Sequence, residues 1–162
     1  MEYALRFGEY CLILAYEPMR RLLHGSYWVR SAQVERPAPS DEVWELIAWA
    51  LVSDARLWLR LPTGQGTQKE LRTWQAIYQI PYGRTASYSQ IARALGNKAN
   101  QAVGQACKRN TYPWLIPCHR VIYQDGRIGH YSGGDAMKPW LLDLERNYTP
   151  QELIFFLQRQ NR

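Results

Sequence analysis

Between Leu71 and Gln124 the chain holds no aspartate or glutamate. The same stretch carries Arg72, Arg84, Arg93, Lys98, Lys108, Arg109 and Arg120. A surface that only has to stay in solution mixes both signs, so a long acid-free basic stretch points to a polyanionic partner. Residues 1–65 show no such bias, with 7 arginines against 8 acidic residues.

Cysteine is also scarce, at 3 in 162 residues. Cys11, Cys107 and Cys118 are an odd and scattered set, which excludes a disulfide framework and suggests a reducing compartment. No Cys-x-x-Cys or His-x-x-x-His spacing occurs, so neither a zinc site nor any other cofactor is expected. Cys11 and His24 have no obvious co-ligands, and Cys11 is expected to be a small buried apolar residue. No apolar run approaches the roughly 20 residues needed to cross a bilayer. The start Met1-Glu2-Tyr3-Ala4-Leu5-Arg6 lacks the pattern of a secretory leader. The expectation is a soluble cytoplasmic chain (nuclear in a eukaryote), without membrane contact.

The length suits one domain, or a small domain with a companion. Tyr10–Tyr16 and Ser26–Arg30 read as strands. After the break Pro37-Ala38-Pro39, Ser40 can cap a helix with Val43, Trp44, Ile47, Ala50 and Leu51 on one face. Arg56–Leu61 reads as another strand, and Pro62–Gly66 as a linker. Beyond it the pattern turns helical. Thr67 with Glu70, and Ser87 with Gln90, form capping boxes. Leu71, Trp74, Ile77 and Tyr78 line the first helix, which Pro81-Tyr82-Gly83 stops. Ile91, Ala92 and Leu95 line a short second helix, Tyr88–Leu95. A turn at Gly96-Asn97-Lys98 leads to a third, with Ala99, Ala102, Val103, Ala106 and Cys107 facing the core. Two short helices around a tight turn in a basic stretch suggest a helix-turn-helix. Gly104 costs about 1 kcal/mol of helix propensity, so either a close helix neighbour or a close approach to a groove should explain it. Asp125-Gly126 suggests a hairpin turn. Thr149 and Glu152 cap a last helix bearing Leu153, Ile154, Phe155, Phe156 and Leu157. The fold class is thus α/β in the α+β sense. A small sheet-containing lobe over 1–65 precedes a mainly helical lobe over 66–162.

Asn110 ends the third helix, and Pro113 and Pro117 bracket a segment that cannot be helical. Cys118 follows, beside His119 and Arg120. Nearby positive charge or a hydrogen-bonded histidine lowers a thiol's pKa, so Cys118 is expected to rest as an activated thiolate. Neighbours in an extended segment point to opposite sides. One water bridging Cys118 and His119 is therefore more natural than direct contact.

Pro117-Cys118-His119-Arg120-Val121 resembles the active-site signature of the O6-alkylguanine-DNA alkyltransferases. Around it, in that family's order, stand Pro81-Tyr82-Gly83, Ser87-Tyr88, Ala102-Val103-Gly104, Asn110, Tyr131-Ser132-Gly133-Gly134 and Lys138–Glu145. The resemblance covers about residues 66–147; residues 1–65 are similar only in position and length. It implies a DNA repair protein that rotates O6-alkylguanine out of the duplex and transfers the alkyl group irreversibly to Cys118, once per molecule. His119 would be the base, acting through a water, and Glu145 its orienter. Asn110 would brace the site, and Tyr88 would donate to the departing guanine. Ser132 and Lys138 would act near its O6. Carbonyls near Cys118 and Val121 would read the exocyclic amine, and Tyr131, Ser132 and Gly133 would form a pocket wall. Gln101, Ala102, Gly104, Arg109 and Arg120 would meet the DNA. The implied partner is double-stranded DNA containing O6-alkylguanine, met by a monomer. Two positions depart from the family pattern: Gln101 replaces the arginine that fills the gap left by the flipped base, and His130 replaces an asparagine.

The alternative is a non-transferring alkylated-DNA-binding protein of the alkyltransferase-like type, which lacks an acceptor cysteine where this chain has Cys118. A Cys-His-Glu hydrolase fits poorly with a basic helix-turn-helix. A pure helix-turn-helix regulator would not need Cys118, His119 and Glu145 together.

Overall fold

The computed structural model describes residues 1–30, 34–62, 64, 66–96 and 100–161. Strands β1 (Glu2–Phe7), β2 (Tyr10–Glu17) and β3 (Leu22–Arg30) form an antiparallel sheet in that order. Phe7 pairs with Tyr10, which leaves a two-residue hairpin loop. Gly8 takes the positive φ such a tight loop favours. Alternation along the strands separates two faces. Leu5, Phe7, Leu12, Leu14 and Tyr16 enter the main core, while Ala4, Cys11 and Ile13 form a small cluster of their own.

Helix α1 (Asp41–Leu51) begins where Ser40 accepts from the Val43 amide. The expected strand at 56–61 is instead a one-turn helix, α2 (Ala55–Trp58). Asp54 starts it by accepting from the Arg56 amide at 2.9 Å. Leu57 and Leu61 are buried while Leu59 is 78% exposed. Burial at i and i+4 with i+2 in solvent is a helical spacing, and a strand would have buried all three on one face.

Helix α3 (Gln68–Tyr78) carries the Thr67–Glu70 capping box, and α4 (Tyr88–Ala94) the Ser87–Gln90 one. Leu95 caps α4 rather than extending it. Helix α5 (Asn100–Lys108) buries Val103 and Ala106 and packs on α4. Of the expected turn, Gly96 has φ 71; Asn97, Lys98 and the core position Ala99 lie outside the described residues, as do Thr63 and Gln65 of the linker. The Trp74 indole donates to the Ala106 carbonyl at 2.8 Å, tying α3 to α5.

A short ladder of β4 (Ala86–Ser87) and β5 (Val121–Ile122) runs parallel beside a 3-10 turn at Cys118–Arg120. Asp125-Gly126 does form a turn, closed by Tyr123 and Arg127. Helices α6 (Met137–Asn147) and α7 (Pro150–Gln160) complete the chain. One core cluster includes side chains from both sides of residue 65. Among the described residues no helix is long and apolar enough to cross a membrane.

Asn161 fastens α7 to β1. Its Oδ1 accepts from the Arg6 amide at 2.8 Å, and its Nδ2 donates to the carbonyls of Arg6 and Leu157 at 3.2 and 2.7 Å. Asn161→Ala strands buried backbone groups and is expected to cost about 2–3 kcal/mol. Urea denaturation followed by circular dichroism measures this, and a loss below about 0.5 kcal/mol would contradict the clasp.

Candidate active site

The 3-10 turn puts Cys118, His119 and Arg120 in the interior. Pro117 breaks any longer helix, and Trp114 before it has a positive φ of 71. Asn110 holds this loop from the end of α5. Its Oδ1 accepts from the Tyr112 amide at 2.8 Å, while its Nδ2 donates to the Ile116 carbonyl at 3.0 Å and to Cys118 Sγ at 3.2 Å.

Behind the cysteine lies a buried carboxylate. Glu145, on α6, contacts His119 Nε2 through Oε2 at 2.6 Å. Its Oε1 accepts from Arg120 Nε at 2.8 Å and from the Gly83 amide at 2.9 Å. Gly83 sits at φ 76, which lets the Pro81-Tyr82-Gly83 turn aim that amide inward. Burial opposes the charge on Glu145, but His119, Arg120 and the amide outweigh it and bring the carboxyl down to about 2. Burial lowers the His119 pKa, with Arg120 and Lys138 adding to it against the pull of Glu145. The stable state is therefore an anionic Glu145, compensated by Arg120, beside a neutral His119. An ionised Glu145 can only accept, so Nε2 carries the hydrogen and Nδ1 the lone pair. That Nδ1 is buried and has no hydrogen-bond partner among the described residues.

Cys118 differs from expectation. A hydrogen bond with Cys107, then burial, raises its thiol well above the ordinary value, although Asn110 and Lys138 pull the other way. The resting sulfur is a protonated thiol, not a thiolate. The Cys107 thiol and burial outweigh the Asn110 amide and Lys138, and Arg120 spends its charge on Glu145.

The thiol opens on a cleft of about 1280 Å³, whose walls include Tyr88, Gln101, Ala102, Gly104, Tyr131 and Ser132. A Cβ placed on Gly104 would meet nothing within 4 Å. Helix packing thus does not explain this glycine. Lys138 is buried and donates to the Tyr88 hydroxyl at 3.4 Å and the His130 carbonyl at 3.2 Å. Burial lowers its pKa and raises that of Tyr88, so Tyr88 keeps its phenolic proton. At Gly133, next to the cleft residue Ser132, a Cβ would come 2.5 Å from Met137 Sδ and 3.0 Å from Trp28 Cδ1, so any side chain there would displace the Met137 thioether. Val121 is buried in the short parallel ladder.

Two expected DNA contacts are not brought to this face. Arg120 is 1% exposed, bonded to Glu145 and to the Ile80 carbonyl at 2.9 Å. A buried carboxylate required a fixed cation, and Arg120 supplies it. Arg109 lies outside the cleft and pairs with Glu70 at 3.6 Å. Residues 1–65 supply unforeseen site neighbours. Trp28 Nε1 donates to the Tyr131 hydroxyl at 3.0 Å, and Ser26 Oγ to the Pro113 carbonyl at 2.8 Å. No motif marked these two, because their role arises from packing across a long sequence separation. Cys107, expected in the core, is half-buried and lines the cleft.

The Cys118 thiol, beside a buried His–Glu pair, thus opens on a cleft walled by a short helix of an acid-free basic segment. Residues 68–147 match the family model described as 6-O-methylguanine DNA methyltransferase, DNA binding domain. That segment belongs to the 6-O-methylguanine DNA methyltransferase family. Mouse methylated-DNA–protein-cysteine methyltransferase is 54% identical over 80 residues, or 48% of this chain and 38% of that protein. The constitutive enzyme of Bacillus subtilis is 47% identical over 89 residues, covering 53% of this chain and 54% of its own length. These matches thus span about half, or less, of the relatives' lengths. Over nearly the whole chain the fold is similar to that of Mycobacterium tuberculosis OGT crystallised with DNA. The TM-score is 0.67 at 27% identity, covering 96% of this chain and 98% of that one. The O6-methylguanine-DNA methyltransferase of Pyrococcus kodakaraensis gives a TM-score of 0.70 at 25% identity, covering 89% and 97%.

The charge states fix a pH dependence. His119 has a lowered folded pKa, so its contribution is intact above its ordinary 6.5 and is lost as pH falls through the folded value. Glu145, lowered from 4.5 to about 2, contributes about 3 kcal/mol above pH 4.5 that is lost between 4.5 and 2. The melting temperature is therefore expected to begin falling below pH 6.5 and to drop again below pH 4.5. Scanning calorimetry across that range checks it, and a flat profile down to about pH 5 would contradict a buried neutral His119.

Proposed function

We propose that the protein repairs DNA by accepting the alkyl group of O6-alkylguanine on Cys118, once per molecule. The observation that carries this reading is the polarised chain Glu145–His119, which leaves a buried basic nitrogen without a partner among the described residues, on the residue next to the buried Cys118. In this scheme His119 Nδ1 takes the Cys118 proton through a water as the sulfur attacks the alkyl carbon in line. The S–C bond forms, the C–O bond to guanine breaks, and the resulting thioether does not turn over. Glu145 stabilises the imidazolium that forms transiently, and Asn110 Nδ2 stabilises the developing thiolate. Making the nucleophile only at the moment of transfer accords with a thiol that rests protonated.

The guanine would enter the cleft after rotating out of the duplex. Tyr88, which keeps its proton, donates to the departing ring. Ser132 and Lys138 act on its O6 side. Carbonyls at Cys118 and Val121 read its exocyclic amine, and Tyr131 and Gly133 form the wall. Helix α5 presents Gln101, Ala102 and Gly104 to the duplex, and the absence of a side chain at Gly104 allows close approach. Arg109 meets DNA only if it leaves Glu70. Residues 66–162 carry the chemistry, while residues 1–65 buttress the wall through Trp28 and the loop through Ser26. The partner is alkylated double-stranded DNA bound by a single chain, in a cytoplasmic or nuclear setting.

Incubation with methylated duplex should add one methyl mass to the intact chain, located at Cys118 by peptide mapping. Cys118→Ala should abolish the adduct and keep DNA binding. Binding by the native chain without an adduct would overturn transfer and favour an alkyltransferase-like binder.

Gln101 can hydrogen-bond an orphaned base but has no charge. Gln101→Arg is expected to raise the transfer rate by about tenfold on duplex and to leave free O6-methylguanine unchanged. Single-turnover kinetics on both substrates checks this. An equal gain on both would remove the gap-filling role.

A further inference from the structure

Cys107 has no part in the transfer just described. It projects from α5 into the cleft that Cys118 also lines, and both are free thiols. Asn110 holds the two residues together, its backbone amide donating to the Cys107 carbonyl at 3.3 Å and its Nδ2 to Cys118 Sγ at 3.2 Å. A disulfide then requires the two side chains to rotate toward one another until the sulfurs are ~2 Å apart. Cys107 is half-buried, whereas Cys118 is 6% exposed, so an oxidant entering the cleft meets Cys107 first. The third cysteine, Cys11, lies in the separate cluster on the sheet.

We propose that Cys107 is a peroxide-reactive thiol, and that a two-electron oxidant such as hydrogen peroxide closes an intrachain Cys107–Cys118 disulfide that reversibly withdraws the acceptor sulfur. The withdrawal matters through the alkyl transfer proposed above; the disulfide itself does not depend on it. Cys107 sulfur attacks the peroxide, so an S–O bond forms, the O–O bond breaks and water leaves, giving a sulfenic acid. Cys118 sulfur then attacks Cys107 sulfur. The S–S bond forms, the S–O bond breaks, and the departing hydroxide leaves as water with the Cys118 proton. Two thiols and one peroxide become one disulfide and two waters. The buried Lys138, whose charge acts on both sulfurs, and the Asn110 amide stabilise the attacking thiolate. A dithiol reductant reverses the bond by exchange. Once Cys118 is a thioether the disulfide cannot form.

The full chain is treated with hydrogen peroxide, its remaining thiols are blocked with iodoacetamide, and it is digested without reductant. Trypsin cuts after Lys108 and Arg109, so the two sulfurs fall on separate peptides. The expected result is a linked peptide pair, an intact mass lowered by two hydrogens before blocking, and a blocked Cys11. Alkyl uptake should vanish and return with dithiothreitol. Cys11→Ala should keep the link. Cys107→Ser should lose it and lose recovery by dithiothreitol. A link to Cys11, or sulfinic acid at Cys118 with Cys107 still blockable, would overturn the proposal. A linked pair in a chain that never accepts an alkyl group would uphold the disulfide and sink the transfer.

Discussion

The Glu145 carboxylate is the point on which the rest of the site depends. An anion taken out of water is tolerable only if its oxygens are bonded and its charge is matched. Three separate parts of the chain meet to do this: the turn at Gly83, the 3-10 turn carrying His119 and Arg120, and helix α6 itself. The requirement explains why a proline-glycine turn, a Cys-His-Arg run and a distant helix belong together. It also sets the imidazole tautomer. A carboxylate that can only accept leaves the lone pair on the far nitrogen of His119.

The same interaction takes Arg120 out of reach of any partner, whereas Arg109 stays exposed beside Glu70 at 3.6 Å. The sulfur itself is surrounded by Asn110, Cys107 and apolar neighbours. The Cys107 thiol and burial outweigh Asn110 and Lys138 there, so the resting sulfur keeps its proton. The wall opposite is set by packing, as Trp28 from the sheet fixes Tyr131 and crowds Gly133.

Local signals carried most of what could be read from residue order. The capping boxes at Thr67, Ser87 and Thr149 start helices where their side chains satisfy orphan amides, and each occurs in the fold. The segment 56–61 was misread because Leu57, Leu59 and Leu61 alternate with polar or bulky residues, which imitates a strand; one Asp54 cap was enough to make a helical turn. Cys118, His119 and Glu145 were legible as a set only through a signature spread over the second half of the chain. The protonation of Cys118 was not legible, since it depends on Cys107 eleven positions away coming into contact. Trp28 and Ser26 were beyond reach for the same reason: side chains that meet only after folding leave no spacing to read.

The three-stranded sheet has two outer strands whose free backbone groups could recruit another chain. On β1 the Ala4 amide is taken by the Pro37 carbonyl, and Arg6 is covered on both its amide and carbonyl by Asn161. On β3 the amides of Leu23 and Ser26 are taken by the Arg60 and Thr111 carbonyls. Single loop and side-chain groups thus do the work of a fourth and fifth strand. A molecule shorn of α7 would lose Leu153 and Leu157 from the core and at the same time bare the margin of β1. Loss of stability and self-association through strand addition would then come together.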